Sequence, residues 1–301
     1  MIYSAPEKDA EFLLFDVFDV EQIWSKIVDF RDIDRSTIEA IIAEGSRLSA
    51  QTLFESFQES KHSGCYWNGG QVLAPKEFKN AFKELTTGGW LGLSGNPRFG
   101  GQGMPKIWGC LIVEMFWASN ASLYLYGTLT VGASLCIDSH GSEDQKKAYL
   151  EKLYSGKWTG AMALTESHAG TDLGSIKTKA EPDADGSYTL TGTKIFITSG
   201  EHDMAENIIH LVLAKLPDAP LGTKGISLFI VPKFLMDSNG DLSERNSWSS
   251  GSLEHKMGIT GSATSVINYD NARPFLLGEE NPGHTAMYKK MNNARLSVRL
   301  K

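Results

Sequence analysis

WTGAMALTESHAGTDLGSIKTKAEPDADGSYTLTGTKIFITSG, residues 158–200, packs small residues, hydroxyls and exposed backbone donors between two strand-like runs. Met162, Ala163 and Leu164 form a short apolar run that breaks into Thr165-Glu166 and then Ala169-Gly170-Thr171-Asp172. Backbone N–H groups and two threonine hydroxyls are freed there, with no bulky side chain to block a flat or anionic ligand. Past a turn at Asp185-Gly186, residues 188–198 alternate as a strand and end at Phe196-Ile197-Thr198. Residues two apart on a strand share a side, so Phe196 could stack on a planar ring while Thr198 hydrogen-bonds its heteroatom. The stretch reads as a ligand cradle.

Outward from the cradle toward the C-terminus come further β-rich runs, residues 208–216 and 226–234, separated by Gly, Pro, Asp and Asn clusters. Successive strands with no helix between them predict an antiparallel sandwich or barrel over residues 158–278. A helix then begins near Thr285, with Met287, Met291, Ala294 and Val298 on one face. Residues 279–301 thus read as the first helix of a truncated C-terminal helical domain, its apolar face uncovered.

In the other direction, residues 1–157 predict an all-helical domain. Ser36-Thr37-Ile38-Glu39 has the form of a capping box, and Ile38, Ile41, Ile42, Gly45 and Leu48 follow at helical spacing. After a polar loop holding Gly64, Gly69 and Gly70, Pro75 suits the start of a helix whose apolar side is Phe78, Phe82 and Leu85. Two strongly apolar helices are expected over residues 107–126 and 123–137, and Ser142-Glu143-Asp144-Gln145 opens another with a second capping box. The glycine-rich loop at 90–105 invites a phosphate-loop reading, but Lys106 stands where the third glycine of G-x-G-x-x-G is needed. Tight packing of loop on helix accounts for those glycines.

The 301 residues are 41% hydrophobic and 22% charged, enough for a sizeable core and two or more domains. A net charge of −7 with no long Lys/Arg run argues against nucleic acid or an anionic membrane surface as partner. Cys65, Cys110 and Cys136 form no C-x-x-C pair, which points to reduced thiols in a cytoplasmic setting. No signal-peptide pattern or 18-residue apolar window occurs, so the chain reads as neither secreted nor membrane-spanning. No metal is expected: His202-Asp203 and Glu166/His168 lack a ligand spacing, and Asp237-Ser238-Asn239-Gly240-Asp241 lacks the glycine and carboxylate of a calcium loop. The absence of G-x-S-x-G removes support for serine hydrolase chemistry.

At its central stretch the chain resembles the acyl-CoA dehydrogenase family of flavoenzymes, whose middle domain carries T-E-x-x-x-G-[ST]-D followed by an aromatic-I-T strand end. The likeness extends to GWLGLSGNPRFGGQGMP (89–105), HGSEDQKKAYLEKLYSGKWTG (140–160), EHKMGITGSATSVINYDN (254–271) and MNNARLSVRL (291–300). Within the family, residues 200–235 are similar to the branch acting on 3-methylmercaptopropionyl-CoA in dimethylsulfoniopropionate breakdown. The resemblance implies a FAD-dependent α,β-dehydrogenation of an acyl-CoA thioester. Met162, Leu164 and Thr165 would face the pyrimidine edge of FAD, and Gly170 and Thr171 its ribityl–pyrophosphate side. Phe196 would stack near the isoalloxazine, Thr198 would bond the N5 edge, and Ile197 would lie between them. Thr171, Asn292 and Arg295 would fall on the substrate side. Ser167, Thr171 and Phe196 stand where the family commonly has proline, serine and tryptophan, and each keeps the chemistry of a turn, a hydroxyl and a ring.

The family's glutamate base sits in the C-terminal helical domain or, in some branches, beside the arginine matching Arg295. Ala294 holds that second position, so the base is expected beyond Lys301. These 301 residues are therefore expected to lack dehydrogenase activity and to hold FAD weakly or not at all. Implied partners are an acyl-CoA, an electron-transfer flavoprotein or similar acceptor, and further copies of the chain in a homo-oligomer. Two other functions are open: an acyl-CoA oxidase or flavin monooxygenase on the same scaffold, and a cofactor-free binding or assembly module.

Overall fold

A computed structural model describes residues 2–60, 62–281, 283, 285–288 and 292. The N-terminal part begins with α1 (Glu7–Glu11), a π-helical turn (Phe12–Val17) and α2 (Val20–Trp24), followed by α3 (Arg35–Arg47). Ser36 does not cap α3. The helix starts earlier, because the Asp34 carboxylate accepts from the Thr37 N–H at 2.7 Å, and Ser36 Oγ donates to that carboxylate at 3.0 Å. A second π-helical turn (Leu48–Leu53) carries α3 without a break into α4 (Phe54–Ser60).

The expected polar loop contains a hairpin, so the N-terminal part is not wholly helical. Strands β1 (Tyr66–Asn68) and β2 (Gln71–Leu73) pair across Gly69-Gly70. Their φ values of 56° and 95° are those of a two-residue hairpin turn that glycine makes without strain. The helix α5 (Lys76–Thr87) follows Pro75 and buries Phe78, Phe82 and Leu85. The loop after it packs tightly on itself. Gln102, Gly103 and Met104 donate to the carbonyls of Gly92, Gly95 and Leu93, and a Cβ on Gly101 would run into the Gly95 backbone.

The two apolar helices are two arms of one element, α6 (Lys106–His140), which breaks only at Asn120 (φ −152°, ψ 83°). The Asn120 side chain makes the joint. Its Oδ1 accepts from the Leu123 N–H at 3.0 Å and caps the second arm, while its Nδ2 donates to Ser56 Oγ and the Leu53 carbonyl. The arms face each other across an apolar cavity of about 140 Å³ lined by Cys110, Ile112 and Phe116 from one and Tyr124, Val131 and Leu135 from the other. Then α7 (Glu143–Tyr154) starts on the Ser142–Gln145 capping box that the sequence predicts.

From Trp158 onward the chain is strand. In order these are β3 (Trp158–Ala163), β4 (Lys179–Pro182), β5 (Tyr188–Thr198), β6 (Asn207–Lys215), β7 (Ile226–Pro232), β8 (Phe234–Met236), β9 (Leu242–Arg245), β10 (Trp248–Leu253), β11 (Thr264–Ala272) and β12 (Phe275–Leu276). One sheet runs β10-β11-β5-β4-β6-β7-β12, with β3 paired to β6, while β8 and β9 form a separate ribbon. Its pairings are antiparallel apart from two: β3 lies parallel to β6 over six residue pairs, and β4 touches β6 in parallel at Lys179 and Lys215. The expected antiparallel sheet is thus a mixed one. The run IIHLVLA in β6 is buried throughout, and apolar apart from His210, because both its faces are covered. Ile209, Leu211 and Leu213 pack with Ile137, Leu150 and Leu153 of α6 and α7, while Val212 and Ala214 join Ala161, Leu190, Ile197 and Ile267 on the other side.

The described residues after 280 include a helical start. Met287, expected on an uncovered face, is buried there among the residues that join the helices to the sheet. Met291, Ala294, Arg295 and Val298 lie outside the described residues. Among the described residues no helix is long and apolar enough to cross a membrane.

Candidate functional site

The cradle forms where the chain leaves β3 and meets the end of β5. Ile195 N–H donates to the Thr165 carbonyl at 2.8 Å, so the turn after Leu164 lies against the strand end carrying Phe196. The turn closes through reciprocal backbone bonds between Glu166 and Ala169. Asp172 then accepts from the Gly174 N–H and the Ser175 hydroxyl, which winds the chain into a short 3-10 turn. A Cβ on Gly170 would touch only Thr165 Cγ2, at 3.8 Å, so the turn is open on that side.

Phe196 does not follow regular alternation. The register steps from Ser265 opposite Ile197 to Ile267 opposite Lys194, a β-bulge, and Phe196 has φ 58°. A left-handed backbone costs a bulky residue roughly 1–2 kcal/mol. The ring is 58% exposed, so burial does not offset that cost. Strain of this kind concentrates where a ligand is held.

Ser199 is also left-handed, with φ 57°, and its N–H donates to the Ala263 carbonyl. The turn that follows is fixed from below by buried side chains. His210 Nε2 donates to the Gly200 carbonyl at 2.7 Å, which leaves Nδ1 to accept from the Tyr269 hydroxyl at 2.8 Å. Glu201 is held by Lys233 at 2.5 Å and Arg245 at 3.2 Å. His202 accepts from the Met204 N–H on Nδ1, so Nε2 donates to Thr159 Oγ1. Burial first, and then the Lys233 charge, push His202 down to about 3, so it is neutral at physiological pH.

Among the residues singled out from sequence, Thr165 and Gly170 lie side by side and the Thr165 carbonyl meets the strand one residue before Phe196, which makes a rim. Leu164 is buried behind it, Thr198 ends β5 two residues past Phe196, Met162 is half-buried in β3 and Thr171 is exposed beyond Gly170. Ile197 turns into the core and can offer a ligand only its backbone. Asn292 is an exposed helical residue, and Arg295 lies outside the described residues. Among the described residues, Thr165, Thr171 and Thr198 spend no side-chain hydroxyl on a protein hydrogen bond. Three uncommitted hydroxyls, a glycine opening and an exposed ring form a donor set that suits a planar heterocycle with a polar tail.

Sequence reasoning passed over the pair behind the rim. Lys194, wholly buried, donates to the Leu164 carbonyl and to Glu166 Oε1, each at 2.9 Å. The Glu166 carboxylate also accepts from Lys177 N–H (2.7 Å), Thr178 N–H (3.0 Å) and the Thr178 hydroxyl (2.6 Å). Burial pushes the Glu166 carboxyl up, but the Lys194 charge and the Thr178 and Lys177 donors outweigh it and hold it at about 2. A lysine on the inward phase of β5 was the signal, since such a position demands a buried anion.

Comparison with known proteins agrees with this geometry. Residues 67–157 match the profile described as "Acyl-CoA dehydrogenase, N-terminal domain" and residues 161–272 the one described as "Acyl-CoA dehydrogenase, middle domain". The chain is 40% identical over 298 residues to the 3-methylmercaptopropionyl-CoA dehydrogenase of Ruegeria pomeroyi, covering 99% of this chain and 50% of that protein. A butyryl-CoA dehydrogenase of Syntrophomonas wolfei is 37% identical over 98% of this chain and 50% of its own length. An acyl-CoA dehydrogenase from Bacillus anthracis, solved in complex with FAD, superposes with a TM-score of 0.72 at 28% identity, over 90% of this chain and 42% of that one. The chain therefore spans about half the length of the curated relatives it matches. With both domain profiles matched in order and the cradle at the strand ends of the second, the chain belongs to the acyl-CoA dehydrogenase family.

Proposed function

We propose that the rim of Thr165, Gly170, Thr171, Phe196 and Thr198 binds FAD and that, in the complete enzyme, this site dehydrogenates an acyl-CoA thioester between Cα and Cβ. The observation that carries the reading is the Thr165–Ile195 backbone bond, which joins the TESHAGTD turn to the FIT strand end and leaves their hydroxyls free. Bound flavin would supply the hydride acceptor. The protein's part is to hold and orient it. Backbone at Met162 to Thr165 would meet the pyrimidine edge and Gly170 with Thr171 the phosphate side. Phe196 would stack on the ring, and the Thr198 hydroxyl would bond the edge where hydride arrives.

Removal of the α-proton needs a carboxylate base, because a thioester α-proton is far too weakly acidic for water at pH 7. Glu166 is not that base, since its oxygens are engaged by four donors and its carboxyl, held at about 2, has little affinity for a proton. The resemblance puts the base outside these 301 residues and places Thr171, Asn292 and Arg295 on the substrate side. Likeness to the Ruegeria pomeroyi protein over 99% of the chain supports 3-methylmercaptopropionyl-CoA as the substrate. An electron-transfer flavoprotein is the proposed acceptor, and the complete enzyme is proposed to be a homo-oligomer.

Titration of the complete enzyme, stripped of its flavin, with FAD tests the cradle. Saturable quenching of flavin fluorescence, weakened when Gly170→Val fills the opening, is the expected result. Flavin fluorescence unchanged at the highest protein concentration overturns the reading. With a series of acyl-CoA thioesters and an artificial electron acceptor, the 301-residue chain is expected to show no turnover.

A further inference from the structure

Glu166 and Lys194 lie 28 positions apart in sequence and meet behind the rim, with their side chains 4% and 0% exposed. Between them they touch each segment that shapes the cradle. The Lys194 ammonium holds the Leu164 carbonyl, where the chain leaves β3, and Lys194 itself sits two residues before the strained Phe196. The Glu166 carboxylate gathers the backbone at Lys177 and Thr178, where the chain enters β4. Close fit completes the joint: a Cβ on Gly192 would run into the Thr178 hydroxyl.

Burying two charges costs several kcal/mol per ion, and apolar side chains of equal volume often hold a fold as well or better. What apolar packing cannot do is fix carbonyl and amide directions. The Leu164 carbonyl is held by Lys194 and the Thr165 carbonyl by the Ile195 N–H, so the direction of the peptide planes behind the rim is what the ion pair controls.

We infer that Glu166 and Lys194 are positioning residues for the flavin, an ion pair that sets the Leu164–Thr165 backbone and the Ile195–Phe196 strand end in their binding geometry before the ligand arrives. The inference rests on the FAD reading above. The pair is neutral as a unit, so it orients the cradle without adding net charge behind the ring. Removing one member loosens the cradle, and removing Lys194 also leaves the Glu166 anion unmatched behind the flavin site.

The test compares Glu166→Gln, Lys194→Met and the double variant in the complete enzyme, stripped of its flavin and titrated with FAD. Each single variant is expected to weaken FAD binding about tenfold or more, the effect of losing charge-assisted hydrogen bonds. In the flavin-free chain, amide hydrogen exchange at Thr178 and Ile195 is expected to speed up while β6 and β7 stay protected. The reduction potential of the bound flavin, read at pH 6 with protein in saturating excess, separates positioning from a merely structural role. It is expected to fall in Lys194→Met, where Glu166 is left as an anion still held by the Lys177 and Thr178 donors, and to move less in Glu166→Gln, where burial strips the unmatched Lys194 amine of its proton. The double variant should return the potential toward wild type while binding stays weak, and it has no buried charge to unfold it. Unchanged FAD affinity in folded variants, or a potential that does not fall in Lys194→Met, overturns the inference alone. A complete wild-type enzyme that binds no FAD overturns the proposed function and the inference with it.

Discussion

The phenol oxygen of Tyr126, in the second arm of α6, donates to the carbonyl of Gly261 at 3.0 Å and accepts from the Ala263 N–H at 2.8 Å. One buried hydroxyl thus ties the helical part to the loop that leads into β11, where Thr264 lies opposite Thr198 in the register. Tyr126→Phe keeps the ring but leaves the buried Ala263 N–H unpaired and the Gly261 carbonyl with only the weak Cys65 thiol donor. It is expected to lower stability by about 1–3 kcal/mol, seen as a lower urea midpoint with an unchanged denaturant slope. A midpoint equal to wild type would mean the loop finds other partners.

Phe196→Gly separates strain from function. Relief of the left-handed backbone gains roughly 1–2 kcal/mol, and the entropy of a new glycine takes back about 0.5–1. The flavin-free variant is therefore expected to melt at or slightly above the wild-type temperature while its FAD affinity falls. A variant both less stable and equally able to bind flavin would remove Phe196 from the site.

Glu166 gives a stability change with a defined pH window. Its carboxyl sits at about 2 in the folded chain against an ordinary value of 4.5, so its contribution is fully present above about 4.5 and drains away as pH falls toward 2. Between pH 6 and pH 3 this residue should account for a loss of about 2 kcal/mol. Urea midpoints at the two pH values report it: the wild-type midpoint should drop by more than that of Glu166→Gln. Equal drops would place the acid sensitivity in other carboxylates.

Thr198→Ala is expected to slow flavin reduction by acyl-CoA in the complete enzyme while leaving the fold intact. A hydrogen bond to developing charge is worth about 1.5–3 kcal/mol, or roughly ten- to a hundredfold in rate when it acts in the transition state. Stopped-flow absorbance of the flavin band measures it, and an unchanged rate would take Thr198 out of the chemistry.

Local patterns carried much of the fold. The Ser142 capping box and the strand ending at Thr198 were legible because each is decided within a few residues. Ser36 misled because Asp34, two residues earlier, is the better-placed acceptor for Thr37. Gly69-Gly70 read as a loop because its flanking strands are only three residues long. Sequence divided the apolar stretch into two helices at 123–126, but the break falls at Asn120, where it depends on that side chain reaching Leu123, Ser56 and Leu53 at once. The parallel pairing of β3 with β6 joins segments about fifty residues apart, as Trp158 with Asn207, and no local signal encodes it. For the site, the hydroxyls and glycines of the rim were visible in the motif. The bulge that turns Phe196 outward and the ion pair behind it were not, since both depend on cross-strand partners.

The joint at Asn120 has no slack, and that makes the second arm of α6 a registration element. Each residue of an α-helix turns it by about 100°, so adding or deleting one position just after Asn120 would rotate the whole arm. Tyr126 would swing away from Gly261, and Thr130 from the Gly160 N–H that it accepts at 3.0 Å. Both ties to the strand domain would fail together from a single change of length. A loop would have absorbed such a change as slack. Here the length of the arm is as constrained as the identities of Tyr126 and Thr130.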